Sequence, residues 1–426
     1  DTVIRNDKGK FVFEGKDTLD KGVYILLLKP NYQYVQFLID DEPAEFEMKF
    51  DTSDLSDIQF KGSKFNKEFY SYLDFLTEQR SKADKIRSDI KAMEANGRLD
   101  NEVLNLQLTA IDKEVKERQH KIVDENPHSV LAMLIRANFE NPIPEFKGTE
   151  EEVQLKRYLY YKEHYFDHID FKNQALIRTP FINDRIQYYL DKLTVQIADS
   201  LIISIDTIMN RLEPNPEAYR FYLSEIFNKY IKLKHVGMDA IYVYMVDHYY
   251  AQGKAPWVDE VNLNKMKTNA NNFRDILIGK TMPNFTTFDE KGDSVTLNKI
   301  NTDYTILLFW SPTCPHCKKS MPDVIKFYED FKAKTDLTLM SICTPNGDKE
   351  KECWEFIKEK GMENFLNTSD PYQRYRRKIY IPSTPKIFIL DKDKKILIKD
   401  IPAEELERIM DEIIKAKDEE MKLEKG

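Results

Sequence analysis

Cysteine is scarce in this chain. Four residues in 426 are too few for the disulfide framework that holds a small secreted scaffold together. Long apolar runs are missing as well. The longest is strand-like, "YTILLFW", far short of the ~18 residues a membrane-spanning helix needs. Positive charge is not in excess: 64 Lys and Arg stand against 73 Asp and Glu, for a net charge of −9. That balance argues against a nucleic-acid binder, which would usually carry a basic face. No internal repeat, low-complexity linker or signal-like segment is visible. The chain opens at Asp1 rather than on a Met, so its N-terminus by itself does not fix a compartment.

With 41% hydrophobic and 12% aromatic residues, the composition is that of a globular protein. The length predicts two or three domains. Residues 1–62 read as a small β-sheet or sandwich domain. "GKFVFEGK" and "FEMKF" alternate apolar and polar, "VYILLL" and "YVQFLI" are short apolar strands, and turn chemistry separates them. Residues 63–277 read as helical. From about Asn66 the chain is dense in helix formers and charge, and Asn96-Gly97 breaks it into the two arms of a hairpin. These charge runs predict a solvated helical face in preference to a partner-binding coiled coil. Farther on, "SVLAMLIRANF", "VQIADSLIISIDTIMNRL" and "DAIYVYMVDHYYAQ" place apolar residues at helical spacing. His164 and His168 stand four apart, a metal-ligand spacing, but no third ligand accompanies them and no metal is expected. Residues 278–426 alternate β and α: a hairpin, the buried strand "YTILLFW", a helix from Cys314, the buried strand "LTLMSIC", a helix over 349–360, a second hairpin and a closing amphipathic helix. The predicted class is multidomain α+β, with an N-terminal β domain, a central all-α region and a C-terminal α/β domain.

Two cysteines, Cys314 and Cys317, sit where the strand runs into a helix, as Cys-Pro-His-Cys. At a helix N-terminus, unpaired N–H groups and the helix dipole favour negative charge. The Cys314 thiol is therefore expected to ionise easily, and Cys317, one turn on, to lie within disulfide reach. Attack by Cys314 on a substrate disulfide would give a mixed disulfide that Cys317 resolves. Pro315 suits the first helical turn, and a protonated His316 would add positive charge beside the thiolate. Zinc needs about four ligands, and there is no second Cys-x-x-Cys. A purely structural disulfide would gain little from closing so short a loop. Redox chemistry is the favoured reading, with an inert pair or a metal site behind it. Cys343 ends a predicted strand and Cys353 lies on the following helix. Inert buried thiols are expected there, and a second pair that relays electrons is the alternative.

"FWSPTCPHCKKSMP" resembles the active site of the thioredoxin superfamily, specifically the TlpA/ResA-like thiol–disulfide oxidoreductases. Trp310, four before Cys314, Lys318 after Cys317, and Pro322 within the helix all match that pattern. "IPSTPKIFIL" resembles the family's cis-proline loop, which makes Pro385 the cis-proline and Thr384 the residue before it. In the family this loop faces the cysteines and receives the substrate chain in extended form. The resemblance covers about residues 278–420 and implies a thioredoxin-like α/β fold, with an inserted segment between about Thr344 and Tyr380. The N-terminal part is more loosely similar to the sheet domain of some Gram-negative envelope lipoproteins.

Two departures stand out. Leu308 occupies the place of the buried aspartate of thioredoxins, and Ser320 that of the glutamate of ResA-like proteins. Resolution at Cys317 would then need another base. Pro-His, the dipeptide of DsbA-like oxidases, implies a more oxidising pair than that of a typical thioredoxin. No cofactor is expected beyond the Cys314–Cys317 disulfide itself. The implied partners are protein thiols and disulfides and an envelope electron donor or acceptor, with no nucleic acid. The implied location is the cell envelope or periplasm, with the membrane reached only through a lipid anchor lost with a leader. A peroxidase would carry Pro-x-x-x-Thr-x-x-Cys, where this chain has Leu307 and Ser311. A binding module that keeps the thioredoxin-like domain as scaffold is the alternative from a different class.

Overall fold

The computed structural model describes residues 2–15, 17–42, 45–96, 101–232, 236–345 and 349–423. Contacts divide the chain into two compact units, Asp1–Val195 with Ser204–Tyr222, and Gln196–Ile203 with Leu223–Gly426. Small N-terminal strands, a helical centre and a C-terminal mixed sheet with helices follow one another, as the sequence predicts.

In the first unit, β1 (Gly22–Leu28) and β2 (Gln33–Ile39) form one antiparallel hairpin, and β3 (Glu47–Asp51) and β4 (Asp54–Lys61) another. The segment "GKFVFEGK" departs from expectation. Its described residues, 9–15, join no strand, and Phe11, Val12 and Phe13 are all about half exposed. Alternation permits a strand, but a strand forms only where a neighbouring edge takes up its backbone groups. The helices begin with α1 (Lys64–Ala95), capped by Ser63, and α2 (Glu102–Glu125). Polar rungs join these two arms: Gln79 to Glu114 at 3.0 Å and Gln119 to the Tyr72 hydroxyl at 2.9 Å. Surface ion pairs such as Lys82–Glu78 and Lys116–Asp112 fit the solvated face that the charge runs predict. The turn expected at Asn96-Gly97 lies partly outside the described residues, though Asn96 does close α1. Next come α3 (Val130–Arg136), α4 (Glu150–Glu163) with a Thr149–Glu152 capping box, and α5 (Pro180–Asp191). His164 pairs with Asp167 at 2.5 Å, and the described residues contain no cluster of three metal-capable groups. Among the described residues no helix is long and apolar enough to cross a membrane.

Helices α6 (Ala198–Leu212) and α7 (Pro216–Lys232) lead to α8 (Asp239–Met245), which runs into a single π turn, and to α9 (Glu260–Arg274). The C-terminal sheet then forms from β5 (Thr286–Phe288), β6 (Ser294–Thr296), β7 (Tyr304–Trp310), β8 (Leu337–Cys343), β9 (Leu366–Ser369), β10 (Lys386–Asp391) and β11 (Ile396–Lys399). Its spatial order is β11-β10-β7-β8-β9-β5-β6. Strands β7, β8 and β9 are parallel, and β10 runs antiparallel to β7. Helices α10 (Pro315–Phe331), α11 (Glu350–Lys360) and α12 (Leu406–Leu423) complete the domain.

Every residue of β7 is buried. Tyr304, Ile306, Leu308 and Trp310 face one core with α10, α11 and α12. Leu307 and Phe309 face the other, with Met340, Ile342 and Tyr375. A strand covered on both faces has no reason to alternate in polarity, which accounts for the unbroken run "YTILLFW".

Edge strand β11 carries a buried lysine. The Lys399 ammonium pairs with Asp239 at the start of α8 and donates to the Ile276 carbonyl just past α9, at 2.6 Å. Burial lowers its pKa from the usual lysine value, against the pull of Asp239. One side chain thus ties both ends of the α8–α9 segment to the sheet. Removing one partner of such a pair strands a charge away from water. Asp239→Asn should cost about 3 kcal/mol in denaturant unfolding, and Asp239→Leu with Lys399→Met should cost less. Equal stability of Asp239→Asn and the parent would contradict this role.

Candidate active site

The strand β7 ends at Trp310, and a tight turn closed by the Cys314 amide on the Ser311 carbonyl (3.2 Å) leads into α10. Cys314 is the N-cap of that helix, in extended backbone conformation, with Pro315 in the first turn. Its sulfur takes the capping role usually filled by an oxygen, accepting the Cys317 amide at 3.2 Å. The Thr384–Pro385 bond is cis, and the Thr384 carbonyl lies 3.3 Å from the Cys314 sulfur. The structure therefore brings the motif and the proline loop, 70 residues apart, into contact. Pro322 lies inside α10, where its missing N–H interrupts the helical ladder.

Both sulfurs are free thiols, with Cys314 partly exposed and Cys317 buried. Their ionisation is pushed apart. Burial opposes the charged form of Cys314, but hydrogen bonds from the Cys317 thiol and amide, Thr384 and the His316 amide outweigh it. The Cys314 pKa falls below the ordinary thiol value. Cys317 is pushed up to about 12, by burial first and then by its hydrogen bond with Cys314, despite help from the Ser311 backbone and Thr384. What His316 supplies here is its backbone amide, and its side chain is exposed.

Trp310 is fully buried, packs at a tilt on Phe356 with ring centres 5.0 Å apart, and donates its indole N–H to the Ser341 hydroxyl at 2.7 Å. Its carbonyl accepts from the amide and hydroxyl of Thr344, at 2.8 and 3.0 Å. Ser341, Thr344 and Phe356 hold the site, and the motif does not announce them. Their partners lie on other strands and helices, so no local spacing marks them. Leu308, in the place of the thioredoxin aspartate, is a packed core residue.

The second cysteine pair corrects the sequence reading. Cys343 and Cys353 are not free thiols but a disulfide, 10 residues apart and fully buried. Their ranges as strand end and helix member were read correctly. What sequence spacing could not give is that α11 turns its Cys353 face back onto the end of β8, in the same core as Trp310 and Cys317.

Residues 278–398 match the AhpC/TSA family. Residues 108–275 match a domain of unknown function, DUF5106. The thiol–disulfide oxidoreductase ResA of Bacillus anthracis is 27% identical over 120 residues, 28% of this chain and 67% of the relative. ResA of Bacillus cereus is 26% identical over 132 residues, 31% of this chain and 74% of the relative. The C-terminal domain is a TlpA/ResA-like member of the thioredoxin superfamily. Among solved structures, a thioredoxin-like protein of Bacteroides caccae is 20% identical, with a TM-score of 0.48, over 64% of this chain and 97% of its own. The thioredoxin domain of a thiol–disulfide oxidoreductase from Bacteroides vulgatus is 25% identical, with a TM-score of 0.30, over 32% of this chain and 96% of its own. The TlpA/ResA-like domain is that of a thiol–disulfide oxidoreductase.

The split between the two thiols has a direct readout. Only Cys314 should react with iodoacetamide in the folded dithiol protein near neutral pH. Its rate should rise with pH as the thiolate forms, then level off below the ordinary thiol pKa. Cys317 should stay unreactive, and Cys343 and Cys353 should appear as thiols only after unfolding in reductant. Modification of Cys314 and Cys317 at equal rates, or of four cysteines in the folded protein, would contradict the assignment.

Proposed function

We propose that the chain exchanges disulfides with protein substrates through Cys314 as nucleophile and Cys317 as resolving thiol. The observation that carries this reading is the capping of α10 by the Cys314 sulfur opposite the cis-proline loop. The Cys314 thiolate attacks a substrate disulfide, forming one S–S bond and releasing one substrate thiolate. The Cys317 thiolate then attacks the Cys314 sulfur and releases the second. The enzyme gives up two electrons and two protons and becomes the Cys314–Cys317 disulfide, while the substrate becomes a dithiol. The reverse sequence oxidises a substrate dithiol.

Cys317 needs no carboxylate beside it for the first step. Its pKa is raised partly by the hydrogen bond and charge of Cys314, and both vanish when Cys314 is locked in a mixed disulfide. Resolution is therefore eased in part by the intermediate itself, while burial, the larger cause of the raised pKa, persists. Thr384 and Pro385 receive the substrate backbone in this reading, and Trp310, held by Ser341 and Thr344, anchors the strand end that leads to Cys314. Pro315 and His316 start the helix and expose its amides to sulfur. The stabilised Cys314 thiolate favours the dithiol state, and the Pro315-His316 dipeptide, shared with DsbA-like oxidases, supports a disulfide more oxidising than that of thioredoxin.

An oxidising, extracytoplasmic compartment belongs to the same reading, supported by the buried Cys343–Cys353 disulfide. So does the division into residues 1–62, 63–277 and 278–426, supported by one family match that ends at 275 and another that begins at 278. Incubation with oxidised glutathione separates enzyme from scaffold. The parent should pass to the Cys314–Cys317 disulfide, Cys317→Ser should stall as a mixed disulfide with glutathione, and Cys314→Ser should not react. Inertness of all three would leave the binding-module reading in its place.

A further inference from the structure

The parallel strands β7, β8 and β9 end at Trp310, Cys343 and Ser369, and antiparallel β10 starts beside them with Lys386 opposite Phe309. The segments 311–322 and 370–385 therefore meet the sheet at the same end, the end that carries Cys314, with α10 over one face and Tyr375 against the other. Their charge is one-sided. In a chain with more acids than bases, 311–322 contains no Asp or Glu, the first being the exposed Asp323 one turn on from Lys319, and 370–385 contains one, Asp370. Asp370 is buried and already paired with Arg374. Lys378 donates to the Asn284 carbonyl at 2.7 Å. Four exposed cations are left at this end: Lys318, Lys319, Arg376 and Arg377. Lys318 feels the field of Glu359. Among the described residues, no ion pair engages Lys319, Arg376 or Arg377.

A short chain of contacts ties Arg376 to the site. Its Nε lies 3.5 Å from the Tyr375 hydroxyl, which hydrogen-bonds Thr344, whose own hydroxyl holds the Trp310 carbonyl. Tyr375 also packs on Phe309 at 5.1 Å. Beside this cluster Tyr372 is 81% exposed under the Arg374 guanidinium, an aromatic–arginine pair of the kind enriched where proteins meet. Clustered charge of one sign concentrates partners of the other and repels its own.

We infer that this end recognises acidic polypeptide: the disulfides exchanged at Cys314 are carried on segments rich in Asp and Glu. The inference rests on the redox reading above and adds the class of substrate. Exchange itself is unchanged, with two electrons passing from the Cys314–Cys317 dithiol to the peptide disulfide.

The test uses the reduced full chain and three disulfides: one peptide disulfide flanked by Glu, the same peptide flanked by Lys, and neutral hydroxyethyl disulfide. Each peptide rate is divided by that of dithiothreitol with the same peptide, which removes intrinsic differences in reactivity. The acidic peptide should react at least about tenfold faster than the basic one at low ionic strength. The preference should collapse near 1 M salt, where charges are screened beyond about 3 Å. Arg376→Glu with Arg377→Glu should reverse the order of the two peptides, and the salt series on the parent protein stands even if that variant folds poorly. Equal normalised rates for the two peptides, with hydroxyethyl disulfide still reacting, would overturn the charge preference alone. Failure of all three disulfides to oxidise the pair would overturn the redox reading beneath it.

Discussion

The amide of Cys317 donates to the sulfur of Cys314 because Cys314 is the residue that caps α10. That one hydrogen bond requires the rest of the domain. The helix must begin at the end of a strand buried on both faces, so that its first turn is fixed in place. The turn at 311–314 must be short, and the Trp310 carbonyl and indole are held by Thr344 and Ser341 from the neighbouring strand. The cis-proline loop must bring the Thr384 side chain to the sulfur. With these in place, one thiol is stabilised as an anion while its neighbour, three residues on, is held protonated. The difference between two chemically identical side chains is one of position.

The buried disulfide adds to the same frame. It joins the end of β8 to α11, and α11 supplies Phe356 against Trp310. A cross-link over so short a loop restricts the unfolded chain by about 3 kcal/mol in the entropic account. It also fixes the helix that backs the indole. At the far edge of the sheet, Lys399 does a comparable job for α8 and α9 with an ion pair instead of a covalent bond.

The C-terminal domain was the most legible from sequence, for a physical reason. Strands β7 and β8 are buried on both faces, so their apolar runs have no competing interpretation, and both were placed to the residue. Cys-Pro-His-Cys and Ser-Thr-Pro lie in contiguous stretches whose chemistry is local. The N-terminal region was less legible. "FEMKF" formed its strand and "GKFVFEGK" did not, although both alternate, because pairing depends on a partner edge that a local pattern does not contain. The Cys343–Cys353 bond was misread as free thiols, since whether two cysteines meet depends on how α11 packs on the sheet. Ser341 and Thr344, polar residues in and beside an apolar strand, gave no sign that their partner was Trp310.

The unequal stabilisation of the two thiols is most directly tested by the equilibrium reduction potential of the Cys314–Cys317 pair, read by alkylation in glutathione and dithiothreitol buffers. Selective stabilisation of the Cys314 thiolate favours the reduced state. A potential well above the about −270 mV of thioredoxin is predicted. A potential at or below that of thioredoxin would contradict the account.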